Sequence, residues 1–174
     1  MTNFHNINYL KNGNQRQIAA FKLLSEHHVL SNIAEFDPIL VGTIPINIHT
    51  ENSDLDIICY WKNKSTFIEK LFSVFGRQTK FSLRETTIND EETVIANFKI
   101  ADFEIEIFGQ NIPTQNQNGY KHMVIQNQIL QSKGEDFRQR IIQLKKAGYK
   151  TEPAFCKLLD IQNYPYRALL EYKI

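Results

Sequence analysis

Two aspartates one residue apart, Asp54 and Asp56, open a segment rich in β-forming residues, DLDIICY. Successive side chains of a strand point to opposite faces, so the two carboxylates share one face while Leu55, Ile57 and Cys59 take the other. Carboxylates held side by side repel each other unless a proton or a cation lies between them. Because Mg²⁺ prefers carboxylate oxygen and is usually shared with substrate phosphates, the pair predicts a divalent-metal site.

A Gly-Thr pair, Gly42 and Thr43, lies upstream of the aspartates, at the end of another apolar segment. Backbone N–H groups of such a turn, together with a hydroxyl group, are suited to binding a phosphate. Metal binding and phosphate binding are therefore predicted side by side.

Periodicity and turn signals predict the helices and strands around these residues. Helices are predicted at residues 15–28, 66–76, 118–131, 135–147, 151–159 and 165–172, with Thr66 and Glu69 as a capping box. Besides the two strands around the Gly-Thr pair and the aspartates, strands are predicted at residues 80–87, 92–100 and 103–108. The expected fold is α/β (α+β): one domain over residues 1–174, with a catalytic core at 1–110 and a helical C-terminal lobe at 111–174.

The spacing of these residues resembles a known signature. Gly42-Thr43, ten residues, and then Asp-Leu-Asp-Ile is similar to the motif of the nucleotidyltransferase superfamily related to DNA polymerase β, with Thr43 in place of the usual Ser or Gly. The strings VGTIPI, SDLDIIC, EIFGQ, KTEPAF and PYRALL resemble DUF4269, a bacterial family of uncharacterised function placed in that superfamily. The resemblance covers nearly the whole chain and implies a nucleotidyltransferase-like mixed β-sheet with flanking helices.

The resemblance implies metal ligation by Asp54 and Asp56 and by a third acid on a later strand. Glu104 and Glu106 both lie on the polar face of the strand FEIEIF. Glu106 is preferred as the third catalytic and metal-binding acid because it opens EIFGQ, whereas strand position in the superfamily favours Glu104.

The resemblance also assigns nucleotide binding to Gly42, Thr43 and Ser53. Superfamily members usually place the Gly-Thr position at the start of a helix, where the helix dipole assists phosphate binding. The residues that follow here, IPINIH, do not have a helical pattern. An exposed loop is therefore expected to hold the phosphates.

Several other polar residues are weaker candidates. Four polar residues follow the strand that carries Glu104 and Glu106, namely Gln110, Tyr120, Lys121 and His122. One interpretation is that they line the catalytic cleft. In the simpler alternative, Tyr120 packs while Lys121 and His122 are solvated. A basic stretch is either a solvated face or a guide for a phosphorylated acceptor. It comprises Lys133, Arg138, Arg140, Lys145 and Lys146.

The leading functional hypothesis is a metal-dependent nucleotidyltransferase that uses Mg²⁺ or Mn²⁺ and a nucleoside triphosphate donor. Its acceptor is expected to be a small molecule or a protein. The alternative is a non-catalytic nucleotide- or partner-binding module with the same fold. A phosphohydrolase is the third hypothesis, and it would need His49, the nearest histidine, as its base.

Composition excludes some classes of protein. A net charge of +1 does not indicate a strongly basic nucleic-acid protein, so nucleic acid is not an expected partner. No apolar run approaches the roughly 20 residues that span a bilayer, and the N-terminus lacks the layout of a signal peptide. A cytoplasmic protein without a membrane partner is therefore expected, with Cys59 and Cys156 as buried thiols.

Overall fold

One mixed β-sheet lies at the centre of the structure, a computed structural model that describes residues 2–162 and 164–174. The strands are β1 (Ile39–Val41), β2 (Leu55–Tyr60), β3 (Thr79–Ile88), β4 (Glu91–Ile100) and β5 (Phe103–Gln110). Their spatial order is β1-β2-β5-β4-β3. The α-helices are α1 (Gln15–Glu26), α2 (Lys64–Phe75), α3 (Asn118–Lys146), α4 (Thr151–Leu158) and α5 (Pro165–Leu170).

Strand pairing brings together two segments that are distant in the chain. β3, β4 and β5 form an antiparallel meander, whose first turn contains Asn89 and Asp90 with φ values of 53° and 64°. Asn and Asp tolerate this left-handed conformation better than most residues. The meander returns β5 to the middle of the sheet, where it pairs in parallel with β2. The predicted hairpin between β4 and β5, at Ala101 and Asp102, is confirmed.

The two faces of the sheet pack against different helices. Leu55, Ile57 and Cys59 are fully buried in a core shared with α1 and α2. On the opposite face, Val41 and Ile58 pack with apolar residues of α3 and α4. The alternation predicted for β2 is therefore confirmed, and the carboxylate face is the one partly covered by the C-terminal helices.

The helices differ from the prediction in their caps and in where they begin and end. The side chain of Asn63, rather than the predicted Thr66 and Glu69 box, caps α2 by accepting a hydrogen bond from the Thr66 backbone N–H at 3.0 Å. The first helix, α1, ends at Glu26, whereas the prediction extended it to residue 28. The helices predicted at 118–131 and 135–147 are joined as α3, which contains a non-helical Gly134 with φ 80° and ψ −170°.

None of the helices among the described residues combines the length and the apolar character that a membrane-spanning segment requires. The two cysteines, Cys59 and Cys156, are buried and unpaired with each other, as predicted.

Candidate active site

Strands β2 and β5 place an aspartate and a glutamate side by side. Asp56 is paired in register with Glu106, and both line a cleft of about 360 Å³ between the sheet and the C-terminal helices. Asp54 lies one residue before β2 and is exposed. Glu104 is also exposed, and it accepts a hydrogen bond from Lys80 Nζ at 3.2 Å. The fold thus brings Asp56 and Glu106 together in the cleft and leaves Asp54 and Glu104 at the exposed end of the same face.

The carboxyl groups on this face raise one another's pKa. Burial, with repulsion from Glu106 and then from Asp54, raises the pKa of Asp56 from 3.8 to about 7. Burial also raises the pKa of Glu106, with Arg84 opposing the rise and Asp54 adding to it. Burial and then Glu104 raise the pKa of Asp54. A divalent cation bound among these groups would relieve the repulsion.

The raised pKa of Asp56 predicts that the metal-free protein loses stability as the pH rises. Between 3.8 and about 7, the folded protein keeps a proton on Asp56 that the unfolded chain has released, so the free energy of unfolding falls with pH. The loss is at most about 1.4 kcal/mol for each unit of pKa shift. Urea unfolding in the presence of a chelator, at a series of pH values across this window, measures the slope.

The matched variant for this measurement is Asp56→Asn. It should lose the part of the pH dependence of the free energy of unfolding that Asp56 causes. Burial lowers the pKa of His49 and of His122, and these two groups contribute a slope of opposite sign. The difference between wild type and variant isolates Asp56 from them. Identical slopes in the two proteins would contradict the assigned pKa.

The Gly42-Thr43 turn lies directly against Asp56. Gly42 has φ 83°, and a Cβ atom added to it would lie 2.3 Å from Oδ2 of Asp56. The Thr43 hydroxyl donates to Oγ of Ser53 at 3.2 Å, and Ser53 Oγ also accepts from the Thr50 backbone N–H at 2.9 Å. Ser53 therefore ties the turn to the segment that leads into β2.

The segment after the turn, residues 44–48, is a buried turn that is not helical. Ile44, Ile46 and Ile48 are at most 2% exposed, so the prediction of an exposed loop is wrong, although the prediction that no helix forms is confirmed. The apolar side chains of IPINIH explain the burial, because an apolar loop gains free energy by packing against the core.

Side chains from two helices satisfy the carbonyl groups of this buried segment. Gln17 Nε2 donates to the Ile44 carbonyl at 2.8 Å. Arg138 Nη1 donates to the Ile46 carbonyl at 2.6 Å, and Lys145 Nζ donates to the Ile48 carbonyl at 2.8 Å. In a helix these carbonyls would bond to backbone N–H groups. Here the Ile44 carbonyl also accepts from the Asn47 backbone N–H at 3.2 Å, and side chains of α1 and α3 supply the other donors.

The basic stretch of α3 is therefore divided between two environments. Lys133, Arg140 and Lys146 are exposed, as expected for a solvated face, but Arg138 and Lys145 turn inward. Burial lowers the pKa of Lys145 to about 8, against the opposing effects of the Glu152 and Asp56 carboxylates. Sequence reasoning missed the contacts of Arg138 and Lys145, since their partners are backbone groups far away in the chain.

Arg138→Met is expected to destabilise the protein by about 1 to 3 kcal/mol, because it leaves a buried carbonyl without its charged donor. Urea unfolding at neutral pH measures this loss. Arg140→Met is the control: Arg140 is exposed on the same helix, so its replacement should change stability by less than about 0.5 kcal/mol. Equal effects of the two substitutions would show that the Arg138 contact does not hold the segment.

The C-terminal helices supply the other wall of the cleft. Its polar residues are His122 and Gln126 on α3, Thr151 and Glu152 on α4, and Tyr166 on α5. Gln126 Nε2 donates to Oε1 of Glu152 at 3.1 Å. Sequence reasoning did not select Gln126, Glu152 or Tyr166, although the strings KTEPAF and PYRALL contain the last two.

The weaker sequence candidates are dispersed by the fold. His122 lines the cleft and is buried, rather than solvated. Tyr120 packs beside the His5 ring and Lys121 is exposed, and neither lines the cleft. Gln110 is buried at the end of β5, where its Nε2 donates to the Thr93 hydroxyl at 2.8 Å.

His49, the base that a phosphohydrolase would need, is half-buried and does not line the cleft. Burial, then the charges of Arg16 and Lys145, lowers its pKa. The geometry does not place His49 beside Asp56 and Glu106, so it gives no support to the hydrolase hypothesis.

The three acids predicted to bind the metal, Asp54, Asp56 and Glu106, offer carboxylate oxygens, the ligand type that Mg²⁺ and Mn²⁺ prefer. In the part of the chain that the structure describes, no group of three or more His, Cys, Asp or Glu side chains is arranged to hold a metal ion. Asp56 and Glu106 fit as the inner part of a metal site, and Asp54 would have to turn toward the cleft to complete it.

Solved structures of Cid1 share this arrangement of sheet and helices. A Cid1 structure described for its RNA terminal uridylyl transferase activity has a TM-score of 0.53 at 11% identity, over 75% of this chain and 40% of the Cid1 chain. Cid1 poly(U) polymerase with bound MgGTP also gives 0.53 at 11% identity, over 75% and 41%. This chain thus spans about 40% of the Cid1 chains that it matches. The predicted nucleotidyltransferase-like α+β fold is confirmed.

The sequence itself matches a family. Residues 22–172 match a domain of unknown function, DUF4269, and the matched range contains the Gly-Thr turn and all four candidate acids. No curated protein matches the chain in sequence. The chain therefore belongs to the DUF4269 family, as its motifs predicted, and it has a nucleotidyltransferase-like fold.

Proposed function

We propose that this protein is a metal-dependent nucleotidyltransferase that moves a nucleoside monophosphate from a nucleoside triphosphate to a small-molecule or protein acceptor. The observation that supports this best is the contact of the Gly42 turn with Asp56, beside Glu106 in one cleft. A phosphate-binding turn and a pair of acids in contact are the parts that phosphoryl-group chemistry needs, since the protein mainly positions and neutralises charge. The fold shared with Cid1 is consistent with this proposal.

In the proposed reaction, each part of the site has one role. Asp54, Asp56 and Glu106 would hold Mg²⁺ or Mn²⁺, and the bound cation would neutralise charge on the triphosphate. Gly42 and Thr43 would bind the outer phosphates through backbone N–H groups and the Thr43 hydroxyl. The side chains that hold residues 44–48 would keep that turn rigid, and Lys145 adds positive charge near Asp56.

The test is thermal unfolding with each ribonucleoside triphosphate, in the presence of Mg²⁺ or Mn²⁺ and in the presence of chelator. A ligand at about 100 times its dissociation constant stabilises the folded state by roughly 2.7 kcal/mol, equivalent to several degrees. The expected result is a shift that needs both the metal and the triphosphate. No shift with any of the four nucleotides would contradict the proposal.

A second measurement, pyrophosphate release, separates the alternative hypothesis. A non-catalytic module that binds nucleotides would show the stabilisation but would release no pyrophosphate over time with any acceptor. Pyrophosphate release that depends on Glu106 would support catalysis. A module that binds only a protein partner would show neither.

A further inference from the structure

A second pocket adjoins the cleft at the C-terminal helices. It has a volume of about 450 Å³, and we call it the aromatic pocket. Its side chains include Asn89, Asn118, His122, Tyr164, Tyr166 and Arg167. His122 and Tyr166 line both the cleft and the aromatic pocket, so ligands in the two spaces would be neighbours.

The residues of the aromatic pocket have features that a purely structural role does not explain. His122 is only 8% exposed, and its Nδ1 atom has no hydrogen-bond partner among the described residues. Tyr164 is 71% exposed and Tyr166 is 39% exposed, with their ring centroids 5.5 Å apart. Two exposed aromatic rings this close offer a surface on which a ligand ring can pack.

From these observations we infer that the aromatic pocket binds the acceptor, and that this acceptor is a small ring compound with a hydroxyl group and no negative charge. The inference rests on the proposed function. The cleft, at about 360 Å³, has the volume of a site for one small ligand, and its contact with the Gly42-Thr43 turn suits the nucleotide donor. A transfer reaction needs a second substrate, and the aromatic pocket is the adjoining space.

The charges around the two spaces define the class of acceptor. The charged residues that line the cleft are the acids Asp56, Glu106 and Glu152. The charged residue that lines the aromatic pocket is Arg167, whose Nε donates to Oε1 of Glu171 at 3.0 Å. Phosphates of a nucleic acid or of a phosphorylated compound would need several cations, whereas the aromatic pocket offers Arg167, which is already bonded to Glu171.

The amide side chains define the hydrogen bonding. Asn89 lies in the turn between β3 and β4, and Asn118 begins α3. Each amide both donates and accepts, which suits hydroxyl groups of the ligand. A hydroxylated ring would pack against Tyr164 and Tyr166 while its hydroxyl groups bond to the amides.

With a hydroxylated acceptor, the proposed transfer forms one bond, breaks one bond and moves one proton. The acceptor's hydroxyl oxygen forms a bond to the α-phosphorus of the donor. The bond from the α-phosphorus to the oxygen that bridges to the β-phosphate breaks, and pyrophosphate leaves with that electron pair. The hydroxyl proton passes to the Glu106 carboxylate.

The experiment uses the full chain and four probes: methyl glucoside, glucosamine, glucose 6-phosphate and an oligoadenylate. Binding is followed by NMR signals of the Asn89 and Asn118 side-chain amides. Methyl glucoside and glucosamine are expected to shift these signals. Glucose 6-phosphate should bind about tenfold more weakly, because Arg167 is already bonded to Glu171 and little offsets the cost of removing water from the phosphate. Equal or tighter binding of glucose 6-phosphate or oligoadenylate would overturn the inference, as would the absence of a shift with every probe.

The variant Tyr164→Ala tests the pocket, and Tyr149→Ala is its matched control, since Tyr149 is also exposed but lies outside both spaces. Tyr164→Ala should weaken probe binding about three- to tenfold, and Tyr149→Ala should not. With an α-phosphate-labelled triphosphate, the bound probe should become labelled, and Tyr164→Ala should raise the KM for the probe alone. An unlabelled probe, or a raised KM for the triphosphate, would overturn the acceptor assignment.

Failure of the inference is distinguishable from failure of the proposed function. If the protein is not a nucleotidyltransferase, the metal-dependent stabilisation by triphosphates is absent, whatever the probes do. If only the inference fails, that stabilisation remains and the probes do not bind as expected.

Discussion

Asp56→Asn is expected to abolish nucleotide transfer while making the metal-free protein more stable. Asp56 lies in register with Glu106 in the cleft, and burial and the neighbouring carboxylates raise its pKa to about 7. Loss of residues that only support metal ligands costs about 10- to 100-fold in affinity or activity, so loss of a ligand should exceed 100-fold. The neutral amide also removes a buried charge, which should raise the free energy of unfolding above pH 7 by about 1 to 4 kcal/mol.

Opposite changes in activity and stability are the diagnostic result. Pyrophosphate release under saturating metal and triphosphate measures activity, and urea unfolding in chelator measures stability. Glu106→Gln should behave similarly, because Glu106 faces the same cleft. Glu104→Gln is the matched control, since Glu104 is exposed and interacts with Lys80, and it should keep most of the activity. An Asp56→Asn protein with undiminished transfer, or with lowered stability, would show that the acid pair is structural.

Gly42→Ala is expected to reduce both nucleotide binding and stability by displacing Asp56. The added Cβ atom would lie 2.3 Å from Oδ2 of Asp56, well inside van der Waals contact, and φ 83° is itself unfavourable for alanine. Overpacking of this kind typically costs about 1 to 3 kcal/mol, to which the backbone conformation adds about 1 kcal/mol or more. Metal-dependent stabilisation by the triphosphate should be lost.

Gly148→Ala separates the two contributions. Gly148 has φ 94°, but an added Cβ atom there meets nothing within 4 Å, so its replacement carries the backbone cost alone. The difference between the two variants measures the contact with Asp56. In the double variant Gly42→Ala with Asp56→Ala, the clash is removed. The double variant should therefore lose less stability than the sum of the changes in the two single variants. Equal effects of Gly42→Ala and Gly148→Ala would contradict a direct contact.

The local parts of the site were predictable from the sequence. The alternation of DLDIICY identified which side chains of β2 enter the core, because side-chain direction along a strand depends only on position. The Gly-Thr pair and its spacing from the aspartates identified the turn and indicated the family. These features are local, so neighbouring residues are sufficient to predict them.

The choice between Glu104 and Glu106 was not predictable by the same reasoning. Both residues have the same parity on β5, so the alternation treats them alike. The parallel register of β2 and β5 places Glu106 beside Asp56 and leaves Glu104 exposed. Register depends on how the whole β3–β5 meander folds back onto β2, which no short stretch of sequence specifies.

Residue order alone was enough to predict the strand faces, the turn before the aspartates, the absence of a helix after that turn and the family. Three further features required the folded structure: the pairing of Glu106 with Asp56, the bonds from Arg138 and Lys145 to carbonyls of residues 44–48, and the pocket that Tyr164 and Tyr166 form beside the cleft. The two groups of features differ in the range of the interactions that produce them. Periodicity and turn chemistry act between near neighbours, whereas these contacts join segments that meet only when the sheet and the C-terminal helices pack together.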